Sequence, residues 1–186
     1  MASPITGFIT PLRVESLDAQ NWVILEDFIW LGSQGDEFVV FAGETTDFAT
    51  VPWWTQSLIP KTGTWTKAAV LHDQMCNDLN KYHKLKKQYD ELIFTRVSPP
   101  TDIVEPIKPL FSSVDTDAIF RKNAREGGTG VIRSELLWFG VRSGALANVA
   151  RRQSFLRTLP RYIADLVVIL ALVVGLIAGI SWAWPW

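Results

Sequence analysis

The chain has 186 residues, 18 Lys and Arg against 19 Asp and Glu, and a formal net charge of −1, so no overall positive field points to nucleic acid as a partner. One cysteine, Cys76, excludes an intramolecular disulfide. The first residues, "MASPITGFITPLRVESLD", lack the basic-then-apolar order of a secretory signal, and none is expected.

From Thr10 to Thr46 the pattern is that of strands. "NWVILEDFIWL" and "DEFVVFAG" are rich in Val, Ile, Phe and Trp, and "GSQGD" between them, Gly32 to Asp36, is turn chemistry. A β-hairpin or small antiparallel sheet is expected here. "TDFATVP", Thr46 to Pro52, then leaves the sheet as a loop. Lys67 to Leu79 carries Ala68, His72, Met75, Cys76 and Leu79 at spacings that place them on one helical face. Thr64 or Thr66 is a candidate cap. Leu85, Tyr89, Leu92 and Ile93 mark a second helix, and the proline-rich "SPPTDIVEPIKPLFS" an irregular excursion. A third helix starts after Ser112, whose spacing to Asp115 is that of a capping box, and ends at Gly127, Gly128 and Gly130. A fourth begins at Val131.

The end of the chain differs in kind. From Leu166 to Trp184 there is no charge, and most residues are Leu, Val, Ile, Ala or Gly. That length is enough for a helix to cross the hydrocarbon layer. Trp182, Trp184 and Trp186 stand where an interfacial belt belongs, and Arg151, Arg152, Arg157 and Arg161 all precede the span. The expectation is a single-pass tail anchor with the N-terminal domain on the cytoplasmic side and arginines on anionic headgroups. The chain thus divides into an α+β domain (1–150), with a small N-terminal antiparallel sheet followed by a helical layer, a basic juxtamembrane segment (151–162) and a C-terminal transmembrane helix (163–186).

Two polar residues sit inside the apolar run "AAVLHDQMC". Adjacent helical residues point about 100° apart, so His72 can look into the domain while Asp73 faces elsewhere. An imidazole can serve as general base on a water, and the neighbouring carboxylate can hold a hard cation such as calcium. The base needs a third group to fix its tautomer. Asp117 is the leading candidate, because Asp117, Phe120 and Ala124 share one face of the third helix and a charge there needs a partner. Asp90 in "QYDELIF" is the rival, on a wetter face. Asp47 in the loop offers a further oxygen for a metal. The plainer readings are a packed core histidine and an Asp73 paired with a lysine. Zinc is a poor match to one histidine with oxygen ligands, and Cys76 on an apolar stripe reads as packing rather than as a nucleophile. Trp53, Trp54 and Trp65 flank this region and could insert at a lipid interface or fill a core.

The order "TDFATVP", "KAAVLHD", "TDAIF" and "LLWFGV" resembles an uncharacterised family of phage and prophage proteins, a domain of unknown function, over roughly Thr10 to Ala145. That resemblance implies a bacteriophage origin. The His-Asp pair with an aspartate on another helix resembles secreted calcium-dependent phospholipases. It implies His72 as base, Asp73 as calcium ligand and Asp117 as orienting acid. The chain departs from that family in lacking its disulfides and its glycine-rich calcium loop, which the Asp47 loop would have to replace, and in having Cys76 where a tyrosine is usual. The resulting expectation is a phage-encoded, tail-anchored lipid-ester hydrolase in the host inner membrane, acting on membrane lipid, alongside other lysis proteins. The alternatives are a non-enzymatic membrane effector in lysis or superinfection exclusion, and a virion component.

Overall fold

The computed structural model describes residues 7–48, 62–95 and 104–144, together with residues 159–160, 163–164, 167 and 170–171. The chain divides into two compact units, Met1–Val141 and Arg142–Trp186. The described part of the first is α+β, with two small antiparallel sheets followed by helices.

One sheet has the order β1-β4-β5, from Gly7–Phe8, Phe28–Leu31 and Glu37–Val40. β4 and β5 form the expected hairpin, with Phe28 opposite Val40 and Leu31 opposite Glu37. Its turn closes through a 2.7 Å bond from the Gly32 amide to the Asp36 carbonyl, and Gly35 there has φ +83°, a backbone that only glycine adopts without strain. The second sheet has the order β2-β3-β6, from Val14–Ser16, Trp22–Ile24 and Thr45–Thr46. "NWVILEDFIWL" is therefore not one strand. It bends at Leu25–Glu26–Asp27, where the Asp27 carboxylate accepts from the Ala42 amide at 2.9 Å, and each half joins a different sheet.

α1 spans Thr66–Thr95, α2 Ser113–Glu126 and α3 Val131–Gly144. The sequence pattern gives two helices between Lys67 and Val97, whereas α1 is continuous. Asn80 to Lys84 carry no apolar stripe, but neither glycine nor proline interrupts them, so nothing stops the helix. At 1.5 Å per residue α1 is about 45 Å long. α2 begins with the full capping box: the Asp115 amide donates to Ser112 Oγ, and the Ser112 amide donates to the Asp115 carboxylate at 2.9 Å. It ends at Gly127, where a Cβ would lie 2.7 Å from the Thr64 carbonyl oxygen, so the close approach of the α1 entry requires glycine. Neither threonine caps α1 as expected. The Thr64 hydroxyl pairs with that of Thr129 at 2.8 Å, and Thr66 Oγ1 accepts from the Gly63 amide.

α1 links two buried clusters. Val70, Leu71 and Met75 pack on Ile24, Phe28, Trp30, Val40 and Phe48 from the sheets. Ala68 and Ala69 face Trp65, Phe120, Ala124 and Leu137. Burying each larger side chain contributes about 1.5–3 kcal/mol. Trp65, a candidate for lipid insertion, is 2% exposed and is a core residue.

In the second unit Leu159, Pro160, Ile163, Ala164, Val167, Leu170 and Ala171 are helical, and Ile163, Val167 and Leu170 are largely exposed. Among the described residues no helix is long and apolar enough to cross a membrane. Most of the apolar stretch expected to span one lies outside the described residues, as do Trp53, Trp54, Arg151, Arg152, Arg157, Arg161, Trp182 and Trp184.

Candidate functional site: a buried histidine between two carboxylates

His72, Asp73 and Gln74 are consecutive on α1, and each leaves the helix in a different direction. His72 points towards α2, where its Nε2 lies 2.9 Å from Asp117 Oδ1. Both residues are deeply buried, at 6% and 1% exposed. Asp117 sits on the same α2 face as Phe120 and Ala124, as its spacing predicts, and the Phe120 ring lies 5.3 Å from the imidazole. Asp73 turns towards β6, and its Oδ2 accepts from Thr46 Oγ1 at 2.8 Å. Its Oδ1 is 3.9 Å from His72 Nδ1. Gln74 Nε2 donates to the Thr45 carbonyl at 2.8 Å. One turn on, Cys76 Sγ lies 3.6 Å from Nε2 and 3.9 Å from Nδ1.

Thr46 is the residue that periodicity misses. It closes β6, and its hydroxyl also accepts from the Phe48 amide at 3.0 Å. That turn holds Phe48 at φ 66°, a left-handed backbone that costs a non-glycine residue on the order of 1–3 kcal/mol. The Phe48 ring is buried against Trp22, with centroids 4.4 Å apart, which offsets the strain. The local signal was present in "TDF": a hydroxyl two residues before an amide is the pattern of a short side-chain turn.

Burial acts against a charged imidazole at His72 and is the largest single influence on it. The hydrogen bonds to Asp117, then Asp73, then Cys76 act the other way and together prevail, holding its pKa well above the ordinary histidine value. The charged form of the ring is thus favoured by its position between the two aspartates. In the neutral ring, the proton on Nε2 serves Asp117 and leaves a lone pair on Nδ1, beside Asp73. The Asp73 side chain beside it is 25% exposed, and that of His72 7%.

The other candidates fall elsewhere. Asp90 lies eighteen residues along α1 from His72, about 27 Å at the helical rise. It is exposed and pairs with Lys86 at 2.6 Å, so Asp117 and not Asp90 meets the histidine. Asp47 is half-buried between Thr46 and Phe48. Among the described residues no group of three His, Cys, Asp or Glu side chains is placed to hold a metal ion. Calcium takes six to eight oxygens, and Asp73 already has one oxygen engaged by Thr46 and the other beside His72 Nδ1. The described residues do not fit a calcium site, and no step below uses one.

A separate network joins α2 to α3. Arg121 donates to Glu135 through Nε and Nη2, each at 2.7 Å, and also covers the Trp138 ring at 5.0 Å. Arg125 reaches the same carboxylate and the buried Ser134 hydroxyl. Two carboxylate–arginine contacts of this kind fix helix geometry rather than supply chemistry.

No curated relative and no solved structure matches the chain. The model of a family described as "Protein of unknown function (DUF1353)" matches residues 22–141, more than half of the chain and all of the His72 surroundings. With its strand, TDF turn, His-Asp helix and Asp117 helix all inside that match, the chain belongs to the DUF1353 family.

Proposed function

We propose that the protein is a phage-encoded, membrane-associated hydrolase in which His72 and Asp117 activate water against a lipid ester. The observation that carries this reading is the 2.9 Å contact between His72 Nε2 and an aspartate delivered by a different helix. It orients the ring and leaves the opposite nitrogen for proton transfer. Water loses a proton to Nδ1 as its oxygen bonds to the ester carbonyl carbon. Collapse of the tetrahedral intermediate breaks the bond to the alkoxide, which takes the proton from Nδ1. The products are a carboxylic acid and an alcohol, and the ring is restored. Asp117 keeps Nε2–H throughout and balances the charge that forms on the ring.

Lipid as the substrate class is supported by the charge-free stretch from Leu166 to Trp184 and the arginines before it. A phage origin is supported by the order and wording of the four motifs. The test is release of fatty acid from phospholipid vesicles by the full chain, by His72→Ala and by Asp117→Asn. Loss of release in the first variant and a large reduction in the second are expected. Release by folded His72→Ala equal to that of the parent ends the proposal.

A second reading has its own observation. His72 binds α2 while Asp73 and Gln74 both bind β6, so one stretch of α1 fastens two elements, which is what a structural fastening does. On that reading the protein is a non-enzymatic membrane effector. Host viability on expression then tracks the C-terminal segment and is indifferent to conservative changes at His72.

A further inference from the structure

Beyond Leu79, no residue of α1 between Asn80 and Phe94 is buried, although the helix runs on for four turns. This outer half ends on Phe94, which is 92% exposed, with Leu92 also exposed before it. The segment leading back to α2 runs beside the same half, held by a 3.0 Å ion pair between Lys86 and Glu105. It carries Val104, Ile107 and Leu110 on its surface, and Ile107 is 93% exposed. Only at Phe111, which packs edge-on against Trp30, does it rejoin the core. Large apolar side chains so exposed, on two segments joined by an ion pair and interspersed with charge, suit a contact site.

Self-pairing is the less suitable contact, since two copies joined through these tips set the same lysine-bearing surface against itself. A lipid surface needs no matching partner shape, since separate apolar side chains enter the acyl boundary while charged ones remain among headgroups. The charge fits as well. Residues 80–94 and 104–110 hold five lysines against three acids, in a chain whose formal net charge is −1. Lys86 is shared by Asp90 and Glu105, Lys87 pairs with Glu91 and Lys81 faces Asp78, so the local acids are matched while exposed Lys84 and Lys108 add positive charge.

We infer that the outer half of α1 and the Val104–Leu110 segment form a docking tip for an anionic bilayer, with Phe94 and Ile107 inserted at the acyl boundary and the lysines on headgroups. This rests on the lipid reading above, as the surface from which the substrate is drawn, but its test is independent of catalysis. The full chain carrying Phe94→Cys or Ile107→Cys is spin-labelled and mixed with vesicles of phosphatidylethanolamine and phosphatidylglycerol. The same label at the exposed Glu37 (Glu37→Cys) serves as the aqueous control.

Labels at 94 and 107 are expected to gain collisions with oxygen and lose them with a water-soluble nickel chelate, changing the ratio severalfold over the control. Phosphatidylcholine vesicles should give weaker protection. Both variants should fold, because the native side chains touch almost nothing. Labels as open to the chelate as the one at Glu37 overturn the inference, and so does spin coupling between two copies at 94 without lipid contact. Equal protection on both kinds of vesicle overturns the anionic requirement. Adding His72→Ala should leave the depths unchanged, so failure of the hydrolase reading and failure of the tip are read separately.

Discussion

α1 is one helix under two regimes. Its inner half is held by tertiary contacts: Val70 and Leu71 are fully buried, His72 bonds α2, and Asp73 and Gln74 both bond β6. Its outer half is held by contacts along its own surface, such as the Lys86–Asp90 and Lys87–Glu91 pairs one turn apart. Pairs of that kind contribute only a few tenths of a kcal/mol each. The comparison teaches that helical continuity says little about where stability resides. The inner half is where a substitution should cost the most stability, and the outer half is where it should alter contacts and leave the fold intact.

The sharpest way to break this comparison is at the dyad. Asp117→Ala removes the buried partner of His72 Nε2 and should cost about 3–5 kcal/mol in urea unfolding followed by circular dichroism. Replacing both partners, as His72→Leu with Asp117→Leu, should recover much of that loss. If the single variant is nearly neutral, the inner half is not held as described. Thr46→Val removes the donor to Asp73 and the acceptor for the Phe48 amide, and should cost about 1–3 kcal/mol in the same assay.

pH offers a third handle. His72 has a folded pKa raised above its unfolded value of 6.5. Its stabilising contribution is therefore complete below about 6.5 and is lost as pH rises through the folded pKa. The stability gap between the parent and a His72→Gln variant should narrow as pH rises above about 6.5, and a gap that widens refutes the assignment. Hydrolysis has the opposite dependence, because only the neutral ring accepts a proton, so release of fatty acid should rise over the same range. The smallest effect belongs to the outer half. Lys87→Ala removes one exposed pair and should change unfolding by no more than about 0.5 kcal/mol.

His72 and Asp117 could be found in the sequence because each lies on an apolar helical face, where a charge is out of place without a partner. The Ser112 capping box was legible for the same kind of reason, a fixed spacing with a mechanism. Thr46 was not, because its role depends on β6 arriving beside α1, and no local period encodes that meeting. Trp30 and Asn123 are similar: their 3.1 Å bond joins a strand to α2 across more than ninety residues. Trp65 shows the converse error, since a tryptophan near a candidate site reads equally well as a lipid anchor or as core. Only its packing against Phe120, Ala124 and Leu137 decides between them.

The bend at Leu25–Glu26–Asp27 has a consequence for how the front of the domain comes apart. One sheet draws on residues 7–8, 28–31 and 37–40, the other on 14–16, 22–24 and 45–46, so their segments are interleaved along the chain. Neither can be excised or allowed to melt without pulling on a strand of its neighbour. Backbone amides in β3 and β4 should therefore exchange with deuterium through a shared opening event, as one cooperative unit made from two interleaved pieces.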